Sequence, residues 1–198
     1  MKKIAVLYAA IACLWTAPVS AAAPYVSGSV GLGFPVSSNK SNSSVETNNA
    51  IEFKTGFPFC GAIGVKSGDV RSELSVGYQK NDIDNVSGAP VSGADASVLS
   101  FMANAYYEFY IIDSSVIPYV MGGVGDARVK AHESIHSFDI DKSVFAWQAG
   151  AGAGVKSSKQ VTLDVGYRYF KTSKVADDYG SKYTISSSNI LVGLRYRF

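Results

Sequence analysis

Read from its C-terminal end, the chain alternates apolar and polar positions with a period of two. Ile190, Val192, Leu194, Tyr196 and Phe198 share one parity; Asn189, Leu191, Gly193, Arg195 and Arg197 share the other. Successive side chains of a strand point to opposite faces, so this pattern predicts a strand with one apolar face. The preceding run repeats it, with Val161, Leu163, Val165, Tyr167 and Tyr169 against Thr162, Asp164, Gly166, Arg168 and Phe170. Further back, Phe145, Trp147, Ala149, Ala151, Ala153 and Val155 oppose Gln148, Gly150, Gly152, Gly154 and Lys156. Leu99, Phe101, Ala103, Ala105, Tyr107 and Phe109 oppose Ser100, Met102, Asn104, Tyr106 and Glu108. Leu74, Val76 and Tyr78 oppose Arg71, Glu73, Ser75, Gly77 and Gln79. Residues 25–34, 50–66 and 116–128 alternate less regularly, and bring the count to eight predicted strands. Pro58 falls inside one of these runs. A closed sheet has no edge at which a missing N–H goes unnoticed, so a bulge is expected there, or a membrane part beginning near Phe57. Asp126 shares a face with Val120 and Val124 and is expected above the lipid.

The connections sort into two classes. Those at 66–69, 112–115 and 157–160 are short; those near 36–49, 81–95, 129–142 and 172–183 are longer and polar. Short and long alternate without exception, as in transmembrane barrels with tight periplasmic turns and extended outer loops. The pattern predicts an all-β fold, an eight-stranded antiparallel up-and-down transmembrane β-barrel, with both chain ends on the periplasmic side. A soluble sandwich or barrel also alternates, but keeps its apolar face for a core. Here aromatics gather near the ends of the apolar faces, where a membrane barrel carries its girdles.

The N-terminus reads as an export signal. Lys2 and Lys3 form a basic head, residues 4–15 are apolar, and Ala21, Ala22 and Ala23 offer small residues for cleavage. The apolar run is too short for a spanning helix, which needs about 20 residues. A secretory signal peptide is expected over residues 1–22, followed by the barrel domain over residues 23–198. Cys13 does not fit a lipoprotein signal, because Ala10 stands where a branched aliphatic residue is expected and Leu14 and Trp15 continue the apolar run. The mature chain then keeps only Cys60, so no internal disulfide forms, and Cys60 is read as a small side chain in a packed wall.

Composition agrees with a membrane wall. Charged residues make up 17% of the chain, against about 25% in ordinary soluble domains. There are 12 tyrosines and 19 glycines, and the net charge is only +2, which does not point to nucleic acid.

Particular stretches resemble a known family. Pro118-Tyr119-Val120-Met121-Gly122-Gly123-Val124-Gly125 resembles the glycine-rich strand of the small outer membrane surface antigens. Residues 145–152 and 161–169 resemble its next two strands, and Leu194-Arg195-Tyr196-Arg197-Phe198 resembles its ending. The likeness to these opacity-type barrels covers nearly the whole mature chain, strongly in the last four strands and loosely in the long loops. It implies an eight-stranded barrel in the cell outer membrane of a bacterium. It also implies that Ile190, Val192, Leu194, Tyr196 and Phe198 present a signal to the barrel-assembly machinery.

An eight-stranded barrel is only wide enough for its own side chains. The inward set is expected to include Arg71, Glu73, Glu108, Asp164, Arg168, Arg195 and Arg197, mixed in sign and so paired into a plug. A narrow pore or transporter for small solutes or ions is the alternative. His132-Glu133-Ser134-Ile135-His136 matches the H-E-x-x-H zinc-protease signature, but that chemistry needs one helical face and a third ligand. Here the motif sits in a predicted outer loop, and only aspartates follow it. No catalytic residue, metal ligand or cofactor site is assigned, and the chain is not read as an enzyme. The long loops, including the polar stretch 37–44, are the expected working surface. Membrane structure and adhesion through four outer loops follow as the expected roles. The partners are outer membrane lipid and host-surface molecules, and the barrel is expected to act as a monomer.

Overall fold

A chain in lipid must satisfy every backbone N–H and C=O internally, and eight long strands here do so by closing on themselves. A computed structural model describes residues 22–36, 40–42, 45–47, 51–53, 55–86, 89–90, 94–133, 138–173, 175–176 and 182–198. The expected signal peptide therefore lies outside the described residues, Ala22 excepted. The wall strands are β1 (Ala23–Val36), β2 (Phe59–Ser67), β3 (Val70–Val86), β4 (Ala94–Glu108), β5 (Val116–Glu133), β6 (Phe138–Lys156), β7 (Val161–Thr172) and β8 (Ser186–Arg197). Each pairs antiparallel with its sequence neighbour, and β1 closes the ring on β8 from Tyr25↔Arg197 to Val36↔Ser186. The eight-stranded up-and-down barrel is thus the observed fold, and its wall has no free edge.

The start of β1 and the end of β8 lie at the end of the barrel with the short turns. Gly68 turns β2 into β3 with φ 57°, a value glycine adopts without a Cβ clash. Asp113 takes φ 60° between β4 and β5, where Asp is among the tolerated residues. At the opposite end the strands run much further than the polarity of the sequence suggests. Most of 81–95 and 129–142 is strand rather than loop, in unbroken register from Tyr78↔Leu99 to Asp82↔Asp95, and from Ala146↔Gly125 to Phe138↔Glu133. The polar residues mark where the outward face leaves the apolar belt, and backbone pairing continues past that level. Short strands at Lys40–Asn42 and Lys182–Tyr183 also pair, so the first and last long connections meet.

Outward positions carry the apolar side chains. Val30, Ile63, Val165 and Val192 are all at least half exposed. Aromatic pairs bound the belt at both levels: Tyr107–Phe109 and Tyr196–Phe198 at the short-turn end, Phe59–Tyr78 and Trp147–Tyr169 at the other. From Phe109 to Leu99 the wall covers the ~10 residues a tilted strand needs to cross a bilayer. Asp126 lies in the row of Phe101 and Phe145, at the upper aromatic level.

Pro58 is neither inside β2 nor a bulge. β2 begins one residue later, and Gly31 N–H still donates to the Pro58 carbonyl at 3.0 Å while Gly33 pairs with Gly56. Residues 56–58 thus stay on β1 beyond the register with β3, and the donor the proline lacks is the reciprocal one to the Gly31 carbonyl, since Pro58 C=O and N both face β1.

Candidate functional site

Positions of one parity point inward, and in the half of the barrel near the short turns they form one polar network. Glu108, at the end of β4 and 1% exposed, is its centre. Arg71 Nε lies 2.7 Å from Oε1, and Arg195 Nη1 donates to the same oxygen at 2.6 Å. Lys66 Nζ and the Tyr110 hydroxyl both donate to Oε2, the latter at 2.8 Å. Arg195 also reaches Asp164 Oδ1 through Nη2 at 3.2 Å. Glu73 accepts from Tyr25, Tyr106, Ser27 and Asn104 within 3.3 Å, and its carboxylate lies 3.9 Å from Arg71 Nη1. Arg71 is stacked at 3.9 Å over the Tyr106 ring, with Tyr25 and Tyr119 within 6 Å. Cation–ring attraction of this kind grows where water is excluded. Above this layer Gln148 donates to Asn104, which donates to Ser75.

Glycines of the inward face make room for the rings. A Cβ on Gly152 or Gly166 would stand 2.6 or 2.5 Å from the Tyr119 hydroxyl oxygen. Nearer the long hairpins the interior changes character. Met102, Ala127, Ala146 and Phe170 form an apolar cluster, with Val98 and Val144 packed on it. Tyr110 lies beyond the end of β4, in the turn. Burial and its hydrogen bond to Glu108 push its hydroxyl up to about 12.

Of the seven charges placed inside from sequence, Arg71, Glu73, Glu108, Asp164 and Arg195 come together. Arg168 lines a cavity of about 70 Å³ beside Glu73 and Asp164, with no ion pair among the described residues. Arg197 is exposed at the rim, two residues below Arg195, and donates to the Lys159 carbonyl at 2.7 Å. Ile190, Val192, Leu194, Tyr196 and Phe198 all face outward. Cys60 is a free thiol at the edge of the 70 Å³ cavity rather than packed in the wall. Lys66 also enters the network, from a run whose alternation is irregular, as do Tyr25, Tyr106 and Tyr119, which carry no charge to mark them in the sequence. The tyrosines already sat on the inward parity. His132 and Glu133 close β5 as extended chain, with His132 opposite Asp95 and Asp139 in backbone register. The remainder of the H-E-x-x-H segment, His136 included, lies outside the described residues, as do residues 37–39 and 43–44 of the polar first loop.

The outer membrane protein β-barrel domain family matches residues 7–198. Among curated proteins, the outer membrane protein PagN of Salmonella typhimurium is 27% identical over 118 residues, covering 50% of this chain and 49% of the relative. The chain thus spans about half the length of that relative. Among solved structures, neisserial surface protein A superimposes with a TM-score of 0.62 at 20% identity, over 90% of this chain and all of the other. OprG of Pseudomonas aeruginosa gives 0.56 at 12% identity, over 90% and 96%. At these identities the two structures speak to the fold alone.

Proposed function

The chain belongs to the outer membrane protein β-barrel family, and from that premise we propose that it is a surface barrel which binds through its long hairpins and neither conducts nor catalyses. The observation that carries this reading is the filled interior. Glu108 and Glu73 tie β1, β2, β3, β4 and β8 together across the lumen through Tyr25, Lys66, Arg71 and Arg195. A rigid closed scaffold with strands prolonged beyond the belt places recognition on the connecting segments. The resemblance to opacity-type antigens supports adhesion to host-surface molecules as the form that recognition takes. In this reading the short-turn end faces the periplasm, residues 1–22 are removed on export, and the outward row ending at Phe198 is what the assembly machinery meets.

Two measurements test it. Bacteria displaying the chain are expected to bind host cells, and to lose most of that binding when the connecting segments 87–93 and 134–137 are replaced by short Asn-Gly linkers. Undiminished binding would sink the adhesive reading. Planar bilayers containing the folded protein are expected to show no stable conductance step, even a small one. Such a step would instead favour the narrow-pore alternative.

A further inference from the structure

The short-turn mouth of the barrel encloses a cavity of about 330 Å³, within the size range of small-ligand sites. Five cations line it, Lys66, Lys156, Lys159, Arg195 and Arg197, against the single carboxylate of Glu108. That carboxylate is already engaged by Lys66, Arg71, Arg195 and Tyr110. Lys156, Lys159 and Arg197 have no carboxylate within ion-pair reach among the described residues. Lys66 and Lys156 lie 4.9 and 5.3 Å from the centre of the one Tyr110 ring, and of the two only Lys66 is engaged by Glu108. Arg195 is 6% exposed, and its Nε–H, buried, has no hydrogen-bond partner.

The frame of this mouth is fixed. Ser158 Oγ accepts from the N–H groups of Gln160 and Val161 at 3.2 and 3.0 Å, which shapes the 157–160 turn. Arg197 fastens that turn through the Lys159 carbonyl, and Lys156 N–H donates to the Ser115 carbonyl of the neighbouring turn at 2.9 Å. A cleft of one sign with low-dielectric walls concentrates the opposite charge. Guanidinium forks combined with ammonium groups match the oxygens of phosphate and carboxylate.

We propose that this mouth is a binding site for a small soluble oxyanion, a phosphate- or carboxylate-bearing molecule, held by Lys156, Lys159 and Arg197. A lipid headgroup shares this chemistry, but the closed wall keeps acyl chains outside, and a headgroup would have to fold over the 157–160 turn. The site stands apart from whatever the hairpins at the other end bind.

The test uses the full barrel folded in uncharged detergent and titrated calorimetrically with inorganic pyrophosphate at low salt. Saturable binding is expected, weakened at least tenfold in the Lys156→Gln, Lys159→Gln, Arg197→Gln triple variant. Lys171→Gln, at the opposite end, should bind as the parent does. Lys159→Gln alone, whose side chain makes no contact the fold relies on, should weaken binding about threefold and guards against misfolding of the triple variant. Repeating the titration in nanodiscs separates the sources. Equal affinity in phosphatidylcholine and phosphatidylglycerol supports a soluble oxyanion, whereas competition by phosphatidylglycerol overturns that choice in favour of the headgroup. Absence of saturable binding, or a triple variant that binds as the parent does, overturns the site.

Discussion

The two halves of the barrel interior solve the same problem by opposite means. Near the short turns the lumen is filled by Glu108, Glu73, Asp164, Arg71 and Arg195, with tyrosines among them. Near the long hairpins it is filled by Met102, Ala127, Ala146 and Phe170. Both occupy the lumen, but their failure modes differ. An apolar filling fails in proportion to the volume removed, because neighbours relax only partly. A paired filling fails when one partner goes, because the other is left buried and charged. The charged half therefore specifies which strands must meet, since Glu108 on β4 has partners on β2, β3 and β8. The apolar half tolerates any side chain of similar volume.

The largest effect is expected at Glu108. Glu108→Gln leaves Lys66, Arg71 and Arg195 without their shared anion, at a cost of about 3–5 kcal/mol. Urea unfolding in lipid vesicles measures it, and a loss below 1 kcal/mol would show that the cations find water instead. Met102→Ala, in the other half, should cost about 2–4 kcal/mol. Its signature is different: the loss should be the same from pH 5 to 9 and be recovered by Leu, whereas no apolar residue recovers Glu108. If Leu fails at position 102, the apolar half is as shape-specific as the charged one.

How much of this contrast was legible in the sequence follows from the same physics. Period-two alternation assigns a face to each residue of a strand, so Arg71, Glu73, Glu108, Asp164 and Arg195 could be placed inside from spacing alone. Alternation says nothing about height along the barrel, which the register of neighbouring strands decides. Arg197 has the correct parity but sits below Glu108, at the rim. Arg168 sits above Asp164, with no carboxylate in ion-pair reach among the described residues. Height is also why 81–95 and 129–142 read as loops: Lys80 and Lys130 are outward residues above the belt, on strands that continue. The tyrosines escaped notice because a phenol on the polar face looks like a girdle residue until the register sets it against Arg71.

The smallest effect tests the border between the charged half and the periplasm. Tyr110 donates to Glu108 from the turn, and its hydroxyl is held up at about 12, against about 10 for a free phenol. A group whose folded pKa is raised contributes stability fully below the unfolded value and loses it as pH rises through the folded one. The contribution of Tyr110 should thus be constant below pH ~10 and vanish between about 10 and 12. Tyr110→Phe, which lacks the proton, should be less stable than the parent by about 1 kcal/mol or less at pH 8, since the side chain is partly solvated. Comparing parent and variant across the range isolates the contribution of the Tyr110 hydroxyl. The gap between the two unfolding curves should close by pH 12 and stay open at every lower pH. A gap that does not change with pH would mean that Tyr110 acts through its ring, over Lys66 and Lys156, and the charged half would then end at Glu108 rather than at the turn.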